Sequence, residues 1–194
     1  MLDLIIKNGQ CYIDGELKDV DVSIKDGKIQ HIGQISEESK DIIDAKGLTV
    51  LPGCIDTQTH FREPGSTDTE DLHSGSRAAI VGGITAVFEM PNTNPPTSNK
   101  KEFQKKLDLA KNRMYCNYAF YFGATADNAD DLADLNNLEG CCGIKLFAGS
   151  STGNLLVAEE KDIETVFKNS SKVVAVHSED EEILNINKKL IKKG

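Results

Sequence analysis

Three polar side chains occupy alternate positions in the segment CIDTQTHFREPG, residues 54–65: Asp56, Gln58 and His60. Side chains two residues apart lie on the same face of a β-strand, so a strand here would place all three on one face. Imidazole nitrogen is a strong ligand for zinc, whereas an amide oxygen is neutral and a weak one. The segment therefore predicts a cluster of three polar side chains at the end of an apolar strand. The middle one is the amide of Gln58.

Two further residues with reactive side chains follow short apolar runs. Lys145 lies in GIKLF, and His177 ends the run VVAVH. They are 32 residues apart, and because one βα unit takes roughly 30 residues, we expect both at the carboxyl ends of neighbouring parallel strands. The 85 residues from His60 to Lys145 would then hold three units. This spacing places His60, Lys145 and His177 on strands 1, 4 and 5 of one sheet.

The elements that would position these residues fall into two parts. Residues 1–50 alternate apolar and polar side chains around Asp26-Gly27, which predicts a small β module with a type I′ hairpin turn. Residues 51–194 alternate short apolar strands with polar helical stretches. Ser98 is the expected cap of one helix, and DNADDLADLNNLEG forms another. This alternation predicts parallel strands joined by helices.

Composition limits the kind of partner. The chain has a net charge of −9 and a pI near 4.9, which argues against nucleic acid or an anionic membrane surface, because both need a basic face. The five cysteines are odd in number and form no C-x-x-C pair, so neither a disulfide framework nor a zinc knuckle is indicated. No leader or membrane span is predicted from the apolar runs. We expect a small-molecule or protein partner in a reducing cytoplasm.

The count of strands defines the expected fold. A (β/α)₈ barrel has about 250 residues and carries its chemistry at the carboxyl ends of its strands. Residues 51–194 provide five such strands within 144 residues. The predicted fold class is therefore α/β: a TIM-like (β/α)₈ barrel truncated after about strand 5, with a small β-sandwich module at residues 1–50.

Four separated motifs carry a family resemblance: PGCIDTQTHFREPG, EMPNTNPPT, GIKLFAGSSTGNLLV and VHSED, in this order. Together they resemble the dihydroorotase branch of the amidohydrolase superfamily, and the resemblance covers the whole chain. It implies a cyclic amidohydrolase that converts dihydroorotate reversibly to N-carbamoyl-aspartate in pyrimidine biosynthesis. It also implies an amidohydrolase barrel, in agreement with the strand count.

The resemblance implies a pair of zinc ions, held by an H-x-H pair on strand 1, a carboxylated lysine on strand 4, histidines on strands 5 and 6 and an aspartate on strand 8. Carried over by motif, His60, Lys145 and His177 are metal ligands, and Lys145 is also catalytic as the bridging residue. The apolar neighbours of Lys145 favour loss of its proton by desolvation. Gln58 replaces the first histidine of the pair, so weak or partial zinc binding is expected. Asp56 is expected to have a structural role.

Substrate binding is implied at two other residues. In the family, an arginine two residues after the histidine pair and the asparagine of the MPN segment hold the carboxylate of dihydroorotate, and here these are Arg62 and Asn92. A guanidinium fork suits a carboxylate, and the amide adds a neutral donor. The alternative for Arg62 is a surface ion pair with Glu63 or another neighbour.

Several alternatives remain open at this stage. Lys145 alternatively extends from a strand end to solvent, and His177 alternatively is a hydrogen-bonded core histidine. His31 and His73 are expected at the surface. Residues 149–154, GSSTGN, lack the G-K-[ST] ending of a phosphate-binding loop and are expected to form an active-site loop.

Three functions follow as hypotheses. The first is a dihydroorotase-like enzyme that is inactive as this chain alone and is completed by a complementing C-terminal fragment carrying the missing ligands. The second is a non-catalytic homologue that acts as a scaffold for a partner protein. The third is a degenerate fragment. Free strand edges also predict a homo-oligomer or a complementing fragment, because unpaired backbone groups at a sheet edge favour association.

Overall fold

The computed structural model describes residues 1–151 and 154–191. It divides into two compact units, Met1–Gly53 and Cys54–Gly194. Two residues of the predicted active-site loop at 149–154, and the last three of the predicted barrel domain, lie outside the described residues.

The first unit consists of two small sheets. One sheet has the strand order β5-β4-β1-β6 and the other the order β3-β2-β7. Asp26 and Gly27 have φ angles of 52° and 71°, which confirms the predicted turn, because a type I′ turn needs positive φ at both central residues. His31 lies exposed on β5, as expected. The strands are β1 (Leu2–Lys7), β2 (Gln10–Ile13), β3 (Glu16–Asp19), β4 (Asp21–Lys25), β5 (Lys28–Gly33), β6 (Ser39–Asp44) and β7 (Thr49–Val50).

The second unit is a parallel sheet of five strands whose spatial order, β8-β9-β10-β11-β12, follows the chain. This is the predicted half of a (β/α)₈ barrel, in which each strand is joined to the next by a crossover. The strands are β8 (Cys54–Thr59), β9 (Ile84–Glu89), β10 (Asn117–Gly123), β11 (Cys141–Phe147) and β12 (Val174–His177), and the helices are α1 (Leu72–Val81), α2 (Lys100–Ala110), α3 (Glu160–Asn169) and α4 (Glu181–Ile191).

The core of this unit lies between the sheet and its helices. Val87, Phe120 and Ile144 on the strands are buried against Phe103 on α2 and Val166 on α3. Successive side chains of a strand point to opposite faces of the sheet. Because Val87, Phe120 and Ile144 face the helices, the residues next to them in each strand face the other side of the sheet. The helices therefore pack on one face of the sheet and support the strands whose ends carry the polar residues.

Two local predictions need correction. The cap of α2 is Asn99, whose side chain accepts a hydrogen bond from the backbone N–H of Glu102 at 2.9 Å, and not Ser98. The segment predicted as a helix between β10 and β11 forms a 3₁₀ helix over Ala129–Asn137. The helix α1 begins with a reciprocal capping pair between Asp71 and Ser74.

The sheet has two open edges among the described strands. β8 pairs only with β9, and β12 pairs only with β11. Apolar side chains next to these edges are exposed, including Ile55, Val173 and Val176. In the parts of the chain that the structure describes, no helix has the length and apolar character needed to cross a membrane.

Candidate functional site

His60 and Asn92 form the centre of the site. His60 follows the last residue of β8, and Asn92 lies on the loop after β9. The imidazole Nδ1 of His60 lies 2.9 Å from the side-chain Oδ1 of Asn92. An amide oxygen only accepts, so Nδ1 carries the proton of this bond and Nε2 keeps its lone pair. Burial lowers the pKa of His60, and the positive charge of Arg62 acts in the same direction, so the neutral form is favoured.

Arg62 follows His60 by two residues and lines a cavity together with Asn92. Its backbone has a φ of 59°, and its carbonyl accepts a hydrogen bond from the N–H of Ser66 at 2.9 Å. Within residues 1–151 and 154–191, its guanidinium makes no hydrogen bond or ion pair. Arg62 and Asn92 line one cavity of about 370 Å³. The structure therefore brings together the two residues that the sequence predicted for carboxylate binding.

Glu63 is not the partner of Arg62, so the alternative that paired these neighbours is wrong. The buried carboxylate of Glu63 accepts hydrogen bonds from Arg113 Nη1 at 2.7 Å and Nη2 at 3.1 Å. It also accepts one from the backbone N–H of Leu72 at the start of α1, at 2.9 Å. Arg113 satisfies the charge of Glu63, which leaves the Arg62 guanidinium available for a ligand.

Lys145 lies within β11 and is buried, with 4% of its surface exposed. Its Nζ stands 4.9 Å from the centroid of the Phe147 ring, and among the described residues it has no carboxylate partner. Burial lowers the pKa of Lys145, which confirms the desolvation predicted from its apolar neighbours. Its positive charge contributes to the lowered pKa of His60. The alternative of a lysine reaching solvent is wrong.

His177 is the last residue of β12, as the spacing predicted. Its Nε2 lies 2.5 Å from the Oε2 of Glu179, and its ring stacks on Phe147 with centroids 6.0 Å apart. The ring is partly exposed, with 40% of the side chain accessible, so it is hydrogen-bonded but is not a core residue. Lys145 and His177 thus both contact the Phe147 ring.

The donor set does not fit a zinc pair. Gln58 offers an amide where an imidazole is expected, and the Oδ1 of Asp56 accepts the backbone N–H of Gln58 at 2.9 Å, a structural contact. In the described parts of the chain, no group of three or more His, Cys, Asp or Glu side chains is arranged to hold a metal. The Nε2 of His177 is directed to Glu179. We therefore derive no catalytic step through a metal from these residues.

Zinc content tests this conclusion. We expect the purified chain to retain well under about two zinc ions, because closed zinc sites need about four strong donors. Gln58→His should raise retention only modestly, since it adds one imidazole and no carboxylate. Elemental analysis after gel filtration measures the content, and Gln104→His, an exposed change on α2, controls for adventitious binding by a new histidine. Tight retention of a zinc pair by the unmodified chain would contradict the prediction.

The sequence patterns did not identify a buried ion pair behind the site. Glu89, the last residue of β9, contacts Lys106 of α2, and their side chains are 1% and 0% exposed. The sequence does contain a pattern that indicates this pair. Glu89 lies two residues after buried Val87 on the same strand face, and Lys106 lies three residues after buried Phe103 on the same helix face. Charged residues in apolar phases are a cue for a buried pair.

A parallel half-barrel with a polar site at the carboxyl ends of its strands is the framework of a (β/α)₈ hydrolase. The sequence matches the family model described as "Amidohydrolase family" over residues 49–192. The chain belongs to the amidohydrolase family, whose members are generally metal-dependent.

Curated proteins similar to this chain include cyclic amidohydrolases. A dihydroorotase of Methanosarcina mazei is 37% identical over 187 residues, which are 94% of this chain and 41% of that protein. An allantoinase of Escherichia coli is also 37% identical over 187 residues, 92% of this chain and 41% of that protein. The chain thus spans less than half the length of these relatives.

Solved structures show the same architecture. The L-hydantoinase (dihydropyrimidinase) from Arthrobacter aurescens superposes with a TM-score of 0.91 at 29% identity, covering 100% of this chain and 44% of that one. A D-hydantoinase superposes with a TM-score of 0.81 at 30% identity, with the same coverage of both chains. The fold is therefore that of the amidohydrolase barrel, and the relatives do not by themselves distinguish between dihydroorotate, allantoin and hydantoin rings.

Proposed function

We propose that this chain is the substrate-binding part of a dihydroorotase-like cyclic amidohydrolase. The observation that carries the proposal is the unpaired guanidinium of Arg62, which shares a cavity with Asn92 beside the neutral imidazole of His60. Dihydroorotate carries a carboxylate at neutral pH, whereas allantoin and unsubstituted hydantoins do not. A free guanidinium fork therefore favours dihydroorotate over the other rings.

In this proposal the described residues bind and orient the substrate. Arg62 and Asn92 hold its carboxylate, and His60 is kept in one tautomer by Asn92. Zinc, the carbamate of Lys145, the role of His177 as a ligand and a place in pyrimidine biosynthesis in the cytoplasm are parts of the proposal that rest on the family motifs. A metal bound in a complete barrel would polarise the ring amide and supply the attacking hydroxide.

Ligand binding tests the proposal directly. We expect the chain to bind dihydroorotate more tightly than allantoin in isothermal titration calorimetry. Arg62→Gln should weaken dihydroorotate binding by about 10- to 100-fold, because a hydrogen bond to a charged group contributes about 1.5–3 kcal/mol. Allantoin binding should be unchanged by this substitution. Arg77→Gln, at an exposed position on α1, is the matched control, and equal affinity of the chain for both rings would refute the assignment.

Gln58 supports a second candidate function. A neutral amide in place of a histidine ligand is what a non-catalytic homologue would carry, since a scaffold does not need a metal. In that case the cavity would retain anion binding without turnover. The two candidates share the binding prediction and differ in whether a completed barrel hydrolyses its ligand.

We also propose that the open edges of the sheet associate with further strands. β8 and β12 each leave one row of backbone groups unpaired, and exposed Ile55 and Val176 lie on them. A complementing polypeptide with the remaining strands of such a barrel would pair both edges, and a second copy of the chain would be the substitute in its absence.

Sedimentation of the purified chain tests this association. We expect species larger than a monomer, and a one-to-one complex when a polypeptide carrying the remaining barrel strands is added, because paired edges remove the exposed backbone groups. Lys at an edge position opposes pairing, so Ile55→Lys should reduce self-association, whereas Ile29→Lys, at an exposed position of β5 in the other unit, should not. A monodisperse monomer that melts cooperatively would contradict the proposal.

A further inference from the structure

A buried ion pair lies behind the candidate site. Lys106 Nζ contacts the Oε2 of Glu89, and both side chains are almost completely buried. Among the described residues, this Oε2 has no other hydrogen-bond partner. The ring of Phe120 lies 5.1 Å from the same Nζ and closes the pocket around it. The pair contributes no atom to the cavity that Arg62 and Asn92 line.

Each member of the pair also holds a loop of the site. Lys106 Nζ donates a hydrogen bond of 2.9 Å to the carbonyl of Met90, two residues before Asn92. Glu89 pairs in register with Thr59, the residue before His60, and the backbone N–H of Phe61, between His60 and Arg62, lowers the pKa of the Glu89 carboxyl. The ion pair therefore connects the loop after β8 to the loop after β9.

Besides the bond between His60 and Asn92, two backbone hydrogen bonds also link these segments. The N–H of Met90 donates to the carbonyl of Thr59 at 3.0 Å, and the N–H of Asn94 donates to the carbonyl of Pro64 at 2.9 Å. They fix the strand ends and the outer part of the loops. The Glu89–Lys106 pair acts from the packed side of the sheet, next to the core packing of Phe61, on positions beside the ligand-binding residues.

A stabilising role alone does not account for such a pair. Removing two charges from water costs several kcal/mol per ion, and replacing a buried pair by apolar side chains of similar volume is often neutral or stabilising. A buried pair that is hydrogen-bonded to one backbone segment and lies on a strand paired with another instead restricts where these segments can lie. The apolar surroundings of Phe103 and Phe120 would accept leucine and methionine at these positions.

We propose that Glu89 and Lys106 are positioning residues that set the distance between the loop of His60 and Arg62 and the loop of Asn92. The inference rests on the proposed function in one respect, because it takes the cavity between these loops to be the binding site of an anionic cyclic amide. Loss of the pair should leave the fold intact and loosen the carboxylate clamp.

Two double variants separate positioning from stability. Glu89→Leu/Lys106→Met removes both loop contacts and fills the space with apolar atoms. Glu89→Gln/Lys106→Met keeps an acceptor for the Phe61 N–H and removes only the donor to Met90. Lys105→Met, which alters an exposed lysine on the same helix, is the control. Thermal melting, titration with dihydroorotate and the ¹⁵N chemical shift of His60 Nδ1 are measured on each protein.

We expect both double variants to melt cooperatively. Dihydroorotate affinity should fall about tenfold or more in Glu89→Leu/Lys106→Met and less in Glu89→Gln/Lys106→Met. The His60 Nδ1 signal should lose the shift that marks its hydrogen bond to Asn92, even without ligand. Lys105→Met should change neither quantity.

Two results would overturn the inference. One is an unchanged affinity and an unchanged His60 signal in Glu89→Leu/Lys106→Met. The other is failure of both double variants to fold, since the pair would then be a structural requirement. If the unmodified chain does not bind dihydroorotate, the proposed function fails, and the His60 signal, which needs no ligand, still decides the positioning role.

Discussion

Lys106→Met is expected to lower the free energy of unfolding by about 3–5 kcal/mol at neutral pH, because it removes one partner of a buried ion pair. Glu89 and Lys106 are 1% and 0% exposed, so water cannot replace the lost cation. The carboxyl group of Glu89 must then remain protonated or stay charged in an apolar environment. The hydrogen bond from Lys106 to the Met90 carbonyl is lost as well.

The loss should grow with pH. Burial raises the pKa of Glu89 from 4.5 to about 7 even beside Lys106, and without this cation the pKa of Glu89 rises further. At a pH between the unfolded-state pKa and the folded-state pKa of Glu89, the folded protein holds a proton that the unfolded protein has released. The free energy of unfolding then falls by about 1.4 kcal/mol per pH unit over this window. Both proteins share this decline up to about pH 7, so the additional destabilisation by Lys106→Met grows above about pH 7 and is largest in mildly alkaline solution.

Denaturant unfolding in acidic, neutral and mildly alkaline buffer measures this effect. Lys105→Met, on the exposed side of the same helix, should change stability by less than about 1 kcal/mol. Glu89→Leu/Lys106→Met should recover most of the loss, because no buried charge remains unpaired. A Lys106→Met protein as stable as the unmodified chain in alkaline buffer would show that the pair is not the source of an electrostatic constraint.

The second large effect concerns hydrolysis. The chain alone should give no turnover of dihydroorotate above the uncatalysed rate, because its described residues include the proposed substrate-binding groups but no group of side chains arranged to hold a metal. Joining residues 1–191 to the remaining barrel strands of the Methanosarcina mazei dihydroorotase, which is 37% identical, should restore the missing donors. Since enzymes accelerate reactions by about a millionfold or more, even an impaired barrel would be distinguishable from the background.

Residue 58 should decide how active this chimera is. With Gln58→His the chimera should hydrolyse dihydroorotate, and with Gln58 retained the rate should be lower by more than about 100-fold. Substituting a residue that hydrogen-bonds to a metal ligand costs about 10- to 100-fold, and loss of the ligand itself should cost more. Gln104→His in the same chimera is the control. Turnover by the isolated chain would refute its inactivity, and a Gln58→His chimera that binds dihydroorotate without hydrolysing it would favour the scaffold hypothesis.

Much of the fold was readable from local patterns. Alternating apolar strands and polar helices predicted the parallel half-barrel, and their spacing placed His60 and His177 at strand ends, where they lie, and Lys145 on β11, where it lies two residues before the end. The residue types Asp26-Gly27 predicted the turn that they form. These features depend on neighbouring residues, so a periodicity of two or of 3.6 residues is sufficient to identify them.

Local patterns were less reliable where two residues competed for one role. Ser98 and Asn99 are adjacent and both are good caps, and the path of the chain out of the preceding loop decided for Asn99. The segment Ala129–Asn137 has helical periodicity, but it forms the tighter 3₁₀ helix. Such choices lie within the small energy differences between related local structures, and packing overrides them.

The sequence by itself determined the family, the order of the strands and the presence of Gln58 in place of a histidine. Only the tertiary structure decided which charges meet. Glu63 passes over its neighbour Arg62 and pairs with Arg113, 50 residues away, and Glu89 pairs with Lys106. A charged side chain interacts with whatever lies within a few ångströms in space, so its partner is set by the packing of helices on the sheet and not by its position in the chain. Within residues 1–151 and 154–191, this packing leaves the Arg62 guanidinium without an ion-pair partner at the cavity that it lines.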